Sequence, residues 1–187
     1  QVGKKMTENM KNSAGQRWTR GRIVGWATAA LLLLVPLVSM QFTDEVNWEI
    51  GDFVVFGILL LGAGAGLKLA SRKSSNSAYK FAVGIAVLAA FLLFWINGAV
   101  GIIGSEDNDA NLMYFGVLAI GLIGGIVARF EPRGMERAMY ATAVAQIVVF
   151  VIALVAGWGF TGPITVIFVA MWFVSGRLFG QSAKVDR

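Results

Sequence analysis

The densest set of oxygen-bearing side chains in this 187-residue chain is SEDNDAN, where Ser105, Glu106, Asp107, Asn108, Asp109 and Asn111 crowd into seven consecutive positions. Asp107, Asp109 and Asn111 reproduce the D-x-D-x-N opening of a calcium loop, and hard cations prefer such oxygen ligands. A full loop also needs glycine at its sixth position and a bidentate glutamate at its twelfth. Leu112 and Leu118 occupy those positions here. The sequence therefore fails as an EF-hand, and no metal centre is expected. Glu106, Asp107 and Asp109 stay open as ligands of a weaker divalent-cation site, with Asp44, Glu45 or Asp52 from a second acidic stretch as further donors. The plainer alternative is a solvated turn in which Asp109 or Asn111 caps the helix that follows through its side-chain oxygen.

A second set of polar residues lies inside apolar runs: Asn97, Thr142 and Gln146. Thr142 and Gln146 are four apart and share one helix face. In a low-dielectric interior each needs a partner, so they either make interhelical hydrogen bonds or line a small polar cavity. Other chemistry is excluded by residue type. The chain has no cysteine and no histidine, which removes disulfides, thiol chemistry, the usual haem and zinc ligands and the usual general base near neutral pH. Ser175, Thr142 and Thr165 have no histidine or buried carboxylate to activate them. The glycine-rich GAGAG of Gly62 to Gly66 sits within an apolar run, where helix packing explains it better than phosphate binding. The expectation is a protein that is not an enzyme, with no catalytic residue and no cofactor.

The elements that must position these residues are legible from composition. The chain is 57% hydrophobic and 14% charged, against roughly 25% charged in soluble domains, and its mean hydropathy is +0.69. That balance, spread over the whole length, predicts an all-α polytopic membrane protein. Six apolar runs follow one another: residues 23–42, 53–70, 81–103, 112–128, 138–157 and 164–178. The first is about 20 residues, long enough to span a bilayer, and no small-x-small motif follows it. It reads as an uncleaved helix, loosened or kinked at its outer end by Pro36. The sixth is the shortest and reads as tilted or partly re-entrant. The expected organisation is a basic, largely disordered cytoplasmic segment over residues 1–22, a six-helix transmembrane domain over 23–179 and a cytoplasmic tail over 180–187.

Charge distribution orients these runs. All 16 Lys and Arg fall at the two ends of the chain or around the second–third and fourth–fifth connections. Seven of the 11 acids, Asp44, Glu45, Glu49, Asp52, Glu106, Asp107 and Asp109, fall in connections without a single cation. The positive-inside rule then places both termini in the cytoplasm. The basic face predicts contact with anionic lipid rather than nucleic acid. Trp18 and Trp26 flank the inner end of the first run, and Trp48, Trp95 and Trp158 lie at outer ends, where indole rings anchor at the interface.

Sliding the chain against itself by 59 positions pairs Phe56, Gly57, Leu59, Gly62 and Gly66 with Phe115, Gly116, Leu118, Gly121 and Gly125. A parallel duplication of a helical hairpin and a coincidence of composition both account for it. The duplication would make runs two to five the core, with one and six at its edges. Gly62 and Gly66, and likewise Gly121 and Gly125, each form a GxxxG face that lets a neighbouring backbone approach. Contact between runs two and four is the favoured use; a protein partner or a homo-oligomer interface is the other.

The stretch NGAVGIIGSEDNDANLMYFGVL, followed by ARFEPRGMERA, resembles a group of small polytopic inner-membrane proteins of bacteria. Asp109 and Glu131 stand where Pro and Arg are more readily expected in that group. The resemblance implies a bacterial inner-membrane location and brings no activity, substrate or catalytic residue. The functional expectation is a non-enzymatic accessory, structural or lipid-interacting membrane component. The alternative is a small-solute or ion channel or transporter with a polar path near Gln146 and Asn97.

Overall fold

In a computed structural model, the structure describes residues 27, 31–42, 48–105 and 107–185. The basic segment 1–22, Trp18, Trp26 and Glu106 lie outside the described residues. The chain divides into two compact units, Gln1–Gly64 and Ala65–Arg187. All regular structure among the described residues is helical: α1 (residues 31–39), α2 (Ile50–Lys73), α3 (Ser77–Ala99), a short 3-10 turn (Asp109–Asn111), α4 (Leu112–Val127), α5 (Pro132–Val155) and α6 (Gly162–Val185). Five of these helices are long and apolar enough to cross a membrane, and the protein is an all-α polytopic membrane protein. The part of the first run that is described, α1, is helical on both sides of Pro36 and ends in a turn closed by Met40 N–H on Pro36 O at 3.0 Å.

In the first unit, α2 begins with a side-chain cap. Asp52, three residues into the helix, accepts a hydrogen bond from the Glu49 backbone N–H at 2.9 Å, which satisfies a donor that the helix start leaves free. Trp48 packs edge-on against Phe53 and Phe56, with ring centroids 5.0 and 5.5 Å apart. Ile50 is 84% exposed, and Ile58 and Leu61 are also exposed. Such a surface is costly in water but matches lipid tails, which are as apolar as the side chains themselves.

In the second unit the core lies among α3, α4, α5 and α6. Helix α6 packs against both α3 and α5, and α5 also against α4. This differs from the expectation that the sixth run would sit at an edge of a core built by runs two to five. The sixth run, shortest by hydropathy, is one continuous helix of 24 residues and not a partly re-entrant one. The physical reason is a buried stripe that hydropathy under-reports. Thr165, Phe168, Trp172, Ser175, Phe179 and Ser182 all turn inward, and the two serines satisfy themselves on backbone carbonyls, Ser175 on Ala82 O of α3 and Ser182 on Phe179 O, each at 2.8 Å. Polar residues at the stripe's C-terminal end break an apolar count but not a helix.

Glycines set the close approaches. A Cβ on Gly124 would lie 2.8 Å from Ala138 Cβ on α5, and one on Gly121 would lie 3.1 Å from Thr142 Oγ1. On α6, a Cβ on Gly176 would meet the Tyr140 ring at 2.7 Å and one on Gly180 the Glu136 carboxylate. The expected contact between the second and fourth runs is therefore corrected: the glycine face of α4 turns to α5. Gly125 faces Met135 and Phe130, and Gly66 faces Val87 of α3, with a Cβ 3.2 Å from Val87 Cγ2. A Cβ on Gly62 meets nothing within 4 Å among the described residues. The glycines that the 59-residue shift pairs thus meet unpaired partners, since Val87 corresponds to Gln146 and not to Met135.

The α4–α5 connection holds two non-glycine residues in the left-handed region, Arg129 at φ 48° and Phe130 at φ 57°. Conformations of this kind cost about 1–3 kcal/mol each unless their surroundings hold them. Here Lys73 Nζ donates to Arg129 O at 2.6 Å and pairs with Glu131 Oε1 at 2.8 Å, and the Tyr79 hydroxyl donates to Phe130 O at 2.8 Å. Tyr79 is buried, whereas the Lys73–Glu131 pair is exposed to solvent. Tyr79→Phe is therefore expected to lower stability by about 1 kcal/mol, and Glu131→Gln by less, as exposed pairs contribute ~0–1 kcal/mol. Detergent-solubilised unfolding curves of the two variants check the order.

Candidate functional site

The polar stretch between α3 and α4 is organised by one side chain, Asn111. Helix α3 ends with the Val100 N–H on Ile96 O, and the chain then folds back over its own end. Gly101 at φ 67° and Gly104 at φ 71° take left-handed conformations that glycine adopts without a Cβ penalty. Between them Ile103 turns inward and is fully buried. Its backbone would be stranded there without the Asn111 carboxamide. Asn111 Oδ1 accepts from Ile102 N–H at 3.0 Å and Ile103 N–H at 2.8 Å, while its Nδ2 donates to Ile103 O at 3.3 Å and Ser105 O at 2.7 Å. All the donors and acceptors that an amide side chain presents to one plane are thus used on backbone.

Asn97, one turn before the end of α3, ties the loop from below. Its Nδ2 donates to Asn111 O at 3.1 Å, and both asparagines are buried. Asn108 supplies the cap: its Oδ1 accepts from Ala110 N–H at 3.0 Å and starts the 3-10 turn that leads into α4. The expectation that Asp109 or Asn111 would cap the fourth helix through its side-chain oxygen is corrected: Asn111 stands at the N-cap of α4 but makes no side-chain cap bond, and the cap that is made, by Asn108, belongs to the 3-10 turn before it. Asp107 and Asp109 are exposed. Among the described residues, no three His, Cys, Asp or Glu side chains converge as a metal site would require.

The other intramembrane candidates divide. Thr142 Oγ1 donates back to Ala138 O at 2.9 Å, the i−4 bond by which a buried hydroxyl satisfies itself within its own helix. Gln146 is fully buried, and neither Oε1 nor Nε2 has a hydrogen-bond partner. Asn97, Thr142 and Gln146 are not brought into one cluster by any bond between them; Asn97 is tied to the α3–α4 connection through Asn111. Gly121 and Gly125 line the α4–α5 contact, Gly66 the α2–α3 contact.

Sequence reasoning missed several residues. Gly124, Gly176 and Gly180 make closer approaches than any of the four glycines singled out. Gly176 and Gly180 themselves form a G-x-x-x-G spacing, SGRLFG, in the sixth run, so a signal was present. Nothing in the sequence marks the Tyr79–Phe130 bond or the Ser175–Ala82 bond, which join positions 51 and 93 residues apart. No family model matches the chain, and no curated protein or solved structure matches it.

Proposed function

We propose that the protein is a non-enzymatic component of a bacterial inner membrane, acting as a structural, accessory or lipid-interacting element, with both termini in the cytoplasm. The observation that carries this reading is how the most chemistry-like stretch spends its polar groups. Asn111, Asn108 and Asn97 are committed to the protein's own backbone, and Asp107 and Asp109 point to solvent. The orientation rests on the segregation of all cations to one set of connections. Arg72, Lys73, Lys80, Arg129, Arg133 and Arg137 then face the cytoplasmic leaflet, where each adjacent cation attracts anionic lipid by about 1 kcal/mol.

The chain has no cysteine, so single-cysteine variants report topology directly. Ser105→Cys is expected to react with a membrane-impermeant maleimide in intact spheroplasts. Ser75→Cys, in the exposed α2–α3 connection, is expected to react only after the membrane is opened. The reverse pattern overturns the orientation. Native purification with mass spectrometry of co-purifying proteins and lipids tests the component reading; a copurifying soluble substrate turned over by the isolated protein sinks it. The alternative, passage of a small solute past Gln146 and Asn97, is favoured by one observation, the unpartnered Gln146 carboxamide.

A further inference from the structure

Two basic connections of the second unit are sewn into one. Lys73 Nζ donates to Arg129 O at 2.6 Å, and the Tyr79 hydroxyl donates to Phe130 O at 2.8 Å, so the α2–α3 connection lies against the α4–α5 connection. Arg72 and Lys80 each stand one residue, about 3.8 Å of backbone, from a residue that makes one of these bonds. Arg129 is itself bonded, and Arg133 lies in the first turn of α5. Five cations from two separate stretches of chain thus share one rim. Residues 72–80 and 129–133 contain one acid, Glu131, which leaves the rim a net charge of +4. Lys73 takes that acid at 2.8 Å, the one ion pair among the described residues. Arg72, Lys80, Arg129 and Arg133 are exposed, and no described carboxylate pairs with them. The next acid along the chain, Glu136, lies against Gly180 of α6.

The rim is also fixed in shape. Ser74 Oγ accepts from the Asn76 N–H at 3.0 Å, and Asn76 Oδ1 accepts from the Ala78 N–H at 2.9 Å. On the facing connection the N–H groups of Arg129, Phe130 and Glu131 donate to Ile126 O, Gly125 O and Ala128 O at 2.9, 3.0 and 2.9 Å. Groups held on such a frame lose less freedom on binding than groups on a mobile loop. Topology alone asks for no such frame, because the positive-inside bias depends on the number of cations near a helix end and not on their arrangement.

The chemistry of the rim and of the surface below it selects the occupant. Arginine forks and lysine ammonium groups recognise phosphate. Within one turn of the cations the same helices present apolar side chains to the outside: Leu69 on α2, Phe81 on α3, and Ile126 and Val127 on α4, each more than half exposed. Cations over an alkyl surface fit a molecule with a phosphate and hydrocarbon tails; a nucleic acid or a soluble anion would use the cations alone. We propose that Arg72, Lys80, Arg129 and Arg133, set around the Lys73–Glu131 pair, bind the headgroup of one anionic phospholipid. The site rests on the lipid-interacting reading above and gives it a place and a charge preference, whichever leaflet the rim faces.

The test uses the full chain in nanodiscs of phosphatidylglycerol and phosphatidylcholine in equal amounts, with native mass spectrometry of the lipid retained. One phosphatidylglycerol per chain, kept in preference to phosphatidylcholine, is the expected result. Lys80→Gln and Arg133→Gln are each expected to lower that retention about fivefold, roughly the share of one adjacent cation. Glu131→Gln frees Lys73 from its carboxylate and is expected to raise it, a gain that misfolding cannot imitate. Lys184→Gln, which removes an exposed cation at the end of α6 outside the rim, is expected to leave it unchanged. Equal retention of the two lipids, an equal loss in Lys184→Gln, or a fall in Glu131→Gln overturns the site. So does stabilisation by millimolar inorganic phosphate in nanodiscs of phosphatidylcholine alone, which identifies a soluble-anion site. None of these results touches the non-enzymatic reading, which falls to turnover of a soluble substrate.

Discussion

Asn111→Leu is expected to destabilise the protein by about 4 kcal/mol, because each orphaned buried backbone group costs about 1–3 kcal/mol and two donors lose their acceptor together. Those donors are the N–H groups of Ile102 and Ile103, and the carbonyls of Ile103 and Ser105 lose their donor in the same step. Leucine fills a similar volume, so the loss reports hydrogen bonding rather than a cavity. Asn111→Asp separates the two halves of the side chain. It keeps an acceptor for the two N–H groups but turns a carboxylate toward Ser105 O, 2.7 Å from the nitrogen it replaces. A loss of about 2 kcal/mol is expected, between wild type and Asn111→Leu. Asp109→Asn, at an exposed position two residues away, is expected to stay within about 0.5 kcal/mol. Denaturant titration in detergent gives the order, and hydrogen exchange at the Ile102 and Ile103 amides localises it. Equal effects at positions 109 and 111 would show that the loop is held by its charges and not by the asparagine.

The second large effect is expected at Gly124. A Cβ there would lie 2.8 Å from Ala138 Cβ and 3.4 Å from Ala138 Cα, and neither atom can move without its helix. Gly124→Ala therefore forces α4 and α5 apart, an overpacking cost of about 1–3 kcal/mol, and loosens every contact below it, including Thr142 against Gly121. Gly116→Ala, on the same helix, is the control. A Cβ at that position meets nothing within 4 Å, and alanine is the better helix former by about 1 kcal/mol, so this variant is expected to be neutral or slightly more stable. Gly180→Ala belongs between them, since the atoms it meets are the end of the flexible Glu136 side chain. Unfolding of the three variants under one condition ranks them. Should Gly116→Ala be as damaging as Gly124→Ala, backbone flexibility and not helix approach would explain the glycines of α4.

These two positions mark how far the sequence can be read. The polar crowd from Ser105 to Asn111 is visible at once, and acidic residues draw attention because they carry charge. The residue that organises the loop is a neutral amide whose partners are backbone atoms six to nine residues back, and backbone leaves no signature in residue types. Two left-handed glycines, Gly101 and Gly104, are the only local hint. Gly121 and Gly125 stand out because four-residue spacing is a familiar pattern. Gly124 lies outside that pattern and makes the closest approach on α4, because crossing geometry and not spacing decides which small residue meets the neighbouring backbone.

The sequence alone determined that this is an all-helical polytopic protein, where its helices fall and which connections are acidic. Those properties follow from hydropathy and charge, which each residue carries whatever its neighbours are. Tertiary structure decided that α6 belongs to the core, that α4 faces α5, that Tyr79 and Lys73 hold the α4–α5 connection, and that the Gln146 carboxamide is buried without a hydrogen-bond partner. Each of these depends on which helix faces which. In a bilayer no hydrophobic force between helices makes that choice, and only close packing and a few hydrogen bonds distinguish one arrangement from another.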